Sequence, residues 1–284
     1  MIYVSTSCIK SKKIIDSVLK LAQSGFKNIE LSGGTEYYDG FENDLINLKK
    51  EFDLNYLIHN YFPPPLEHFV LNLASTDKDI YEKSLSHYKK AIQLAEKLNI
   101  SKFGIHAGYL FDPRVKDLGQ IIAKNKMYNR ANAIDNFCSG YNELVSLSKS
   151  VEIYVENNVV SYYNYQNFGK NPFLLTDIES FNELKEYIDF PLLLDLAHLK
   201  VSCNTLNLNF KEQALGLINV SNYIHLSDNN SKIDSNNTIN ADSDIFKLLK
   251  TLKLTDKTIT LEIYETIDQI KRSNELINKI TFDD

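Results

Sequence analysis

A chain of 284 residues that is 43% hydrophobic can bury a sizeable core, and its 10 glycines and 6 prolines are too few for low-complexity disorder. The formal net charge of −6 argues against a broad electrostatic grip on nucleic acid. The opening MIYVSTSC has no basic stretch leading into a long apolar run, and no run of about 18 apolar residues occurs, so neither a signal peptide nor a membrane span is expected. Cys8, Cys138 and Cys203 lie far apart in no CxxC spacing and read as free thiols of a cytoplasmic protein.

Taken in order, the chain alternates strand and helix. Residues 2–6 are the first strand candidate. Apolar residues at Ile14, Ile15, Val18, Leu19 and Ala22 then give 11–24 a helical spacing, closed by Gly25. A strand over 26–31 precedes a helix over 41–52, and the third strand covers 54–60. The loop 61–76 carries Pro63, Pro64 and Pro65. The longest helix, 77–98, starts at a good cap, Thr76 or Asp77, with acidic residues in its first turn. Strand four spans 102–107 and is followed by a long loop through Asp112, Pro113 and Gly119. A helix over 130–148 leads to strand five at 151–157. Residues 162–171 read as a tyrosine- and asparagine-rich loop, followed by a helix at 176–187. Strands six, seven and eight fall at 190–196, 222–226 and 258–263, and the last helices at 242–252 and 266–280. Eight strands alternating with helices predict parallel βαβ units. No linker or composition shift divides the chain. A doubly wound open sheet is the alternative, but it ordinarily carries a Gly-rich turn after an early strand, and Ser32-Gly33-Gly34-Thr35 lacks the full spacing. The expectation is therefore an α/β fold, a single (β/α)₈ barrel over residues 1–284.

Seven strand segments end in an ionisable residue: Glu30, His59, His106, Glu156, Asp195, His225 and Glu262. In a parallel barrel these ends surround one mouth. Glu156, Asp195, His225 and Glu262 offer three carboxylates and one imidazole on consecutive strands, an oxygen-rich set suited to Mn²⁺, Mg²⁺, Co²⁺ or Zn²⁺. A rim salt bridge accounts for one such residue more readily than for four at the same relative position. His198, three residues after Asp195, faces the same mouth from the first turn beyond strand six, as a substrate contact or a ligand of a second ion. His59 and His106 stand too far round the barrel from strand eight to complete one tight site, and are read as binding substrate oxygens or a second ion. Glu30 fits a rim salt bridge as well as a substrate contact, and His68 and His87 are expected at the surface. Lys200 and Lys232 lie in loops where they either meet a phosphate or are simply solvated. Tyr162, Tyr163 and Tyr165 either wall a sugar or pack their loop.

The chain resembles the xylose-isomerase-like barrels, a superfamily of sugar-phosphate isomerases and epimerases that also includes the endonuclease IV type of abasic-site nuclease. The resembling stretches are His59-Asn60-Tyr61 with Phe69-Val70-Leu71-Asn72-Leu73-Ala74-Ser75, Lys83-Ser84 and Ile105-His106-Ala107-Gly108. Val155-Glu156-Asn157, Leu194-Asp195-Leu196-Ala197-His198, Ile224-His225-Leu226-Ser227-Asp228 and Leu261-Glu262-Ile263 continue it to strand eight. The resemblance implies that Glu156, Asp195, His225 and Glu262 are metal ligands, and that Glu156 and Glu262 also act as acid and base on a ketose. It equally matches His59, His106 and His198 to further nuclease ligands. That branch, like a third relative, the multinuclear iron oxidases that modify peptide cysteines, wants a histidine where Asn236 stands, two residues after Asp234. The proline-rich insert also interrupts the nuclease pattern. The expected function is a divalent-metal-dependent isomerase or epimerase of a sugar or sugar phosphate, with catalytic Glu156 and Glu262 and substrate-binding His59, His106 and His198. The alternative is an abasic-site phosphodiesterase.

Overall fold

In the computed structural model, which describes residues 1–117 and 121–282, eight parallel strands close into a barrel in the order of the sequence. They are β1 (Ile2–Ser5), β2 (Asn28–Leu31), β3 (Asn55–His59), β4 (Lys102–His106), β5 (Glu152–Glu156), β6 (Leu192–Asp195), β7 (Tyr223–Leu226) and β8 (Thr258–Leu261). Gly119 lies outside the described residues. The strands read from sequence are all present, and the open-sheet alternative is excluded by the pairing of β8 with β1. The register sets Leu57 beside Glu30, His106 beside Glu156 and Asp195 beside His225, so the ionisable strand ends form one ring at the C-terminal mouth.

The helices follow from their apolar stripes and caps. Helix α1 (Ile14–Gln23) buries Ile14, Val18 and Leu21, and Gly25, with φ 96°, turns the chain into β2. Helices α2 (Phe41–Phe52) and α3 (Lys78–Lys97) follow β2 and β3. The Asp77 carboxylate caps α3, accepting from the amides of Asp79 at 2.9 Å and Ile80 at 3.2 Å. Helix α4 (Arg130–Leu147) is capped by Asn129.

Three helices were not read from the sequence. Residues 162–171 are not a loop: α5 (Tyr162–Phe168) starts at the Ser161 cap and ends at Gly169, φ 73°. After α6 (Ile178–Lys185), helix α7 (Leu196–Leu206) begins directly on β6. It buries Leu196, Ala197, Leu199, Lys200, Val201, Ser202 and Cys203 and so lacks the polar face that makes a helix legible. Helix α8 (Phe210–Ile218) leads into β7, and α9 (Asp244–Leu249) and α10 (Ile267–Phe282) complete the ring. Among the described residues no helix is long and apolar enough to cross a membrane.

Over the β3–β5 side of the mouth a satellite core of Val70, Tyr109, Phe111, Ile122, Val160, Phe168 and Phe173 orders the loops. Asn72 ties two of them together. Its Nδ2 donates to Tyr109 O at 3.1 Å and Phe111 O at 3.0 Å, and its Oδ1 accepts from Ala74 N and Tyr109 N.

Candidate metal centre

Glu156 ends β5 with no exposed surface. Its Oε2 lies 2.7 Å from His59 Nε2 and 2.8 Å from His106 Nε2, while its Oε1 lies 3.3 Å from His225 Nδ1. Burial would raise this carboxyl, but His59 and His106 outweigh burial and hold it well below the usual carboxylate range. His225 Nδ1 also lies 3.7 Å from Glu262 Oε2, and Glu262 Oε1 accepts from Ser7 Oγ at 3.3 Å. Burial would lower His225, yet Glu30 and Glu262 raise it well above an ordinary imidazole.

Asp195 has two roles. Its Oδ1 caps α7 by accepting from the His198 amide at 2.7 Å, and its own amide donates to Asn157 Oδ1 at 2.7 Å. Burial, with Asp234 and Glu156 nearby, pushes this carboxyl up to about 7, against the pull of His198. The His198 ring sits between Asp234 Oδ2 at 3.3 Å, Glu156 Oε1 at 3.9 Å and Asp195 Oδ2 at 4.0 Å. Burial would lower it, but Asp195 and Asp234 raise it well above its ordinary value. His59 is likewise raised by Glu156 against burial, whereas burial keeps His106 below its ordinary value.

Three groups of donors among the described residues each bring their atoms within 4.8 Å of one another: Glu30, His59, His225 and Glu262; His59, His106 and Glu156; Glu156, Asp195 and His198. The quartet expected from sequence is thus divided, with Glu156 and Asp195 in one group and His225 and Glu262 in another. His225 Nδ1 bridges the two halves. Glu156 Oε1, Asp195 Oδ2 and His225 Nδ1 are buried with no hydrogen-bond partner. Orphaned acceptors on crowded carboxylates are what a divalent cation satisfies, so these residues fit one. Asn236, standing where an imidazole would complete a further site, accepts from Ser227 Oγ at 2.9 Å and turns its amide towards Asp234 Oδ2 at 3.5 Å.

Five expectations change. His59 is not too far round the barrel from β8 to share a tight site, since a ring nitrogen comes within 4.8 Å of donor atoms of Glu262, His225 and Glu30. Glu30 is not a rim residue: it is wholly buried inside the barrel, beneath His225. His87 is not at the surface but 7% exposed on the inner face of α3, while His68 is exposed. Lys200 neither meets solvent nor awaits a phosphate: its Nζ lies 2.7 Å from Asp228 Oδ1 and 2.8 Å from Asn229 O, pinning α7 to the loop after β7. Tyr162 and Tyr163 stand exposed on α5 rather than packing a loop.

The family model described as a xylose isomerase-like TIM barrel matches residues 18–280. Among solved structures, a D-tagatose 3-epimerase-like protein is 20% identical, with 98% of this chain and 96% of that chain covered and a TM-score of 0.73. A D-psicose 3-epimerase from Clostridium cellulolyticum, solved with D-tagatose, is 12% identical, covers 98% and 96%, and has a TM-score of 0.62. An endonuclease IV from Thermus thermophilus is 13% identical, covers 98% of both chains, and also has a TM-score of 0.62. At such identities these likenesses speak for the fold. No curated protein sequence matches the chain.

Proposed function

The chain belongs to the xylose isomerase-like TIM barrel family, and on that premise we propose that it is a cytoplasmic, divalent-metal-dependent isomerase or epimerase of a sugar or sugar phosphate. The observation that carries this reading is the convergence of Glu156, Asp195, His225 and Glu262 on one mouth with their inward-facing atoms Glu156 Oε1, Asp195 Oδ2 and His225 Nδ1 unpaired. Solved structures of ketose epimerases with the same fold support it. These four residues would hold the ion, which when bound polarises the oxygens of a carbonyl and its neighbouring hydroxyl.

Proton transfer falls to the two glutamates. Glu262 Oε2 faces His225 and belongs to the ligand set. That leaves Oε1, steadied by Ser7 Oγ, to accept the proton from the carbon beside the carbonyl. Glu156 Oε2 is the second proton-transfer atom, and His106, with a side chain 19% exposed, connects it to the mouth. His106 and His198 bind substrate oxygens, while the deeper His59 anchors Glu156. Asp228 occupies Lys200, so that lysine does not serve a phosphate.

The grouping of His59, His106 and Glu156 favours a second reading, phosphodiester hydrolysis with more than one ion. Metal analysis of protein purified without added metal, followed by a panel of ketoses in D₂O, decides between them. One ion per chain and deuterium at the carbon next to the carbonyl are expected, with Glu262→Gln slowing exchange by ~10²–10⁴-fold while keeping the ion. Two or three ions with EDTA-sensitive incision of an abasic-site duplex would replace the sugar reading with the hydrolytic one. Wild-type exchange by a metal-loaded Glu262→Gln protein would end the paired-carboxylate mechanism.

A further inference from the structure

Below the metal-ligand ring lies a carboxylate to which the mechanism assigns no role. Glu30, on the inner face of β2, has no exposed surface. Three donors converge on its Oε2: Thr260 Oγ1 at 2.9 Å, His225 Nε2 at 3.0 Å and the Tyr223 hydroxyl. Tyr223 is itself braced from below, its ring edge-on to Tyr154 at 5.3 Å, with Lys102 Nζ 4.8 Å from the Tyr154 ring centre and 5.5 Å from that of Tyr223. Barrel interiors are ordinarily filled by Val, Ile and Leu. A buried carboxylate costs several kcal/mol of desolvation, and its attractions repay that only partly. Packing therefore does not explain a glutamate here, whereas orientation of a neighbour does.

We propose that Glu30 is a positioning residue that keeps a hydrogen on Nε2 of His225, so that Nδ1 is the atom presented to the cation between Glu156 and Glu262. A carboxylate is acceptor-only, and two hydroxyls already donate to the same oxygen, so Nε2 must bring a hydrogen to join them. The remaining nitrogen, Nδ1, then points at Glu156 Oε1 and Glu262 Oε2 and has no hydrogen-bond partner. Fixing a ligand's unbound nitrogen against a carboxylate sets ring orientation and raises ligand basicity, and losing such a partner typically costs about 10–100-fold in metal affinity. The role rests on the metal reading above.

The test uses the full-length chain, stripped of metal and titrated with Co²⁺, together with ¹⁵N spectra of the Zn²⁺-loaded protein that identify the ligated nitrogen of His225. Wild type should bind Co²⁺, with Zn²⁺ on Nδ1 and the hydrogen on Nε2. Glu30→Gln should bind Co²⁺ about 10–100-fold more weakly. Tyr223→Phe, which removes a donor to Glu30 but leaves Glu30 facing His225, should stay within about threefold of wild type, whereas a purely structural role would make the two variants fall together. Wild-type affinity in Glu30→Gln, equal losses in both variants, or Zn²⁺ on Nε2 in the wild-type spectrum would each overturn the assignment. The spectrum does so even if Glu30→Gln fails to fold. Failure of wild type to bind either ion would remove the metal reading and this role with it, a result distinct from all three.

Discussion

His87 shows how a single side chain sets a pH limit. It is held edge-on to Phe69 at 6.2 Å and to Tyr88 at 6.1 Å, and its Nε2 is buried without a partner. Burial, with Lys90 nearby, pushes its pKa down to about 4. The folded chain therefore keeps this ring neutral while the unfolded chain takes up a proton below about 6.5. The unfolded state binds more protons through that interval, so stability falls as pH drops from about 6.5 to about 4, and the loss is complete below it. His87→Phe keeps an aromatic ring and removes the titration. Urea unfolding at pH 7.5 and pH 5 should show the wild type losing about 1–2 kcal/mol more than the variant between the two conditions. Equal losses would mean that the ring is solvated. His87 lies on the stripe of α3 that buries Ser84, Leu85, Tyr88 and Ala91. Its burial was not legible in the sequence because a histidine is an unusual member of such a stripe and the covering Phe69 comes from the loop before the helix.

At the level of elements, legibility followed periodicity. The strands could be read because each is an apolar run bounded by turns, and because β1–β8 all end at one mouth their last residues could be assigned to a common site. Helices α2 and α3 kept a polar face and were found nearly to the residue. Helix α7 has almost no polar face, and α5 is a short run of tyrosines and asparagines whose start is visible only in the Ser161 cap. Which donors meet which was not legible either. It depends on register, which brings His59 and His106 onto the same oxygen of Glu156. Gly104 on β4 makes that meeting possible. A methyl group there would lie 2.6 Å from Leu193 Cδ2 and 3.0 Å from His59 Cδ2. Leu193 can rotate its terminus away, but His59 is tied to Glu156. Gly104→Ala should therefore cost about 1–3 kcal/mol of stability by overpacking and also weaken metal binding. Thermal unfolding and Co²⁺ titration of the variant separate the two effects. Unchanged affinity beside a lowered midpoint would show that Leu193 alone gives way.

For the molecule as a whole, the decisive property is where the charge lies. The net charge of −6 is modest for this length, but Glu30, Glu156, Asp195 and Glu262 all lie within one barrel, buried. Histidines on β3, β4 and β7 neutralise part of that charge, yet Glu156 Oε1 and Asp195 Oδ2 remain without partners. An unpaired buried acceptor costs about 1–3 kcal/mol, more when charged, so the folded chain has a standing free-energy reason to take up a cation that the unfolded chain lacks. Binding to the native state alone stabilises by RT ln(1 + [L]/Kd), about 2.7 kcal/mol at a free ion concentration of one hundred times Kd. In a domain of this size that corresponds to a rise of about 4–5 °C in Tm. Protein stripped with EDTA and dialysed should unfold that much lower than protein held in excess Mn²⁺ or Zn²⁺, and re-addition of the ion should restore the midpoint. The same comparison on Asp195→Asn, which keeps an oxygen to cap α7 but removes the charge, should show a smaller shift. If stripped and loaded wild type unfold at the same temperature, the carboxylates are satisfied without an ion, and the mouth is a hydrogen-bonded histidine–carboxylate network rather than a metal centre.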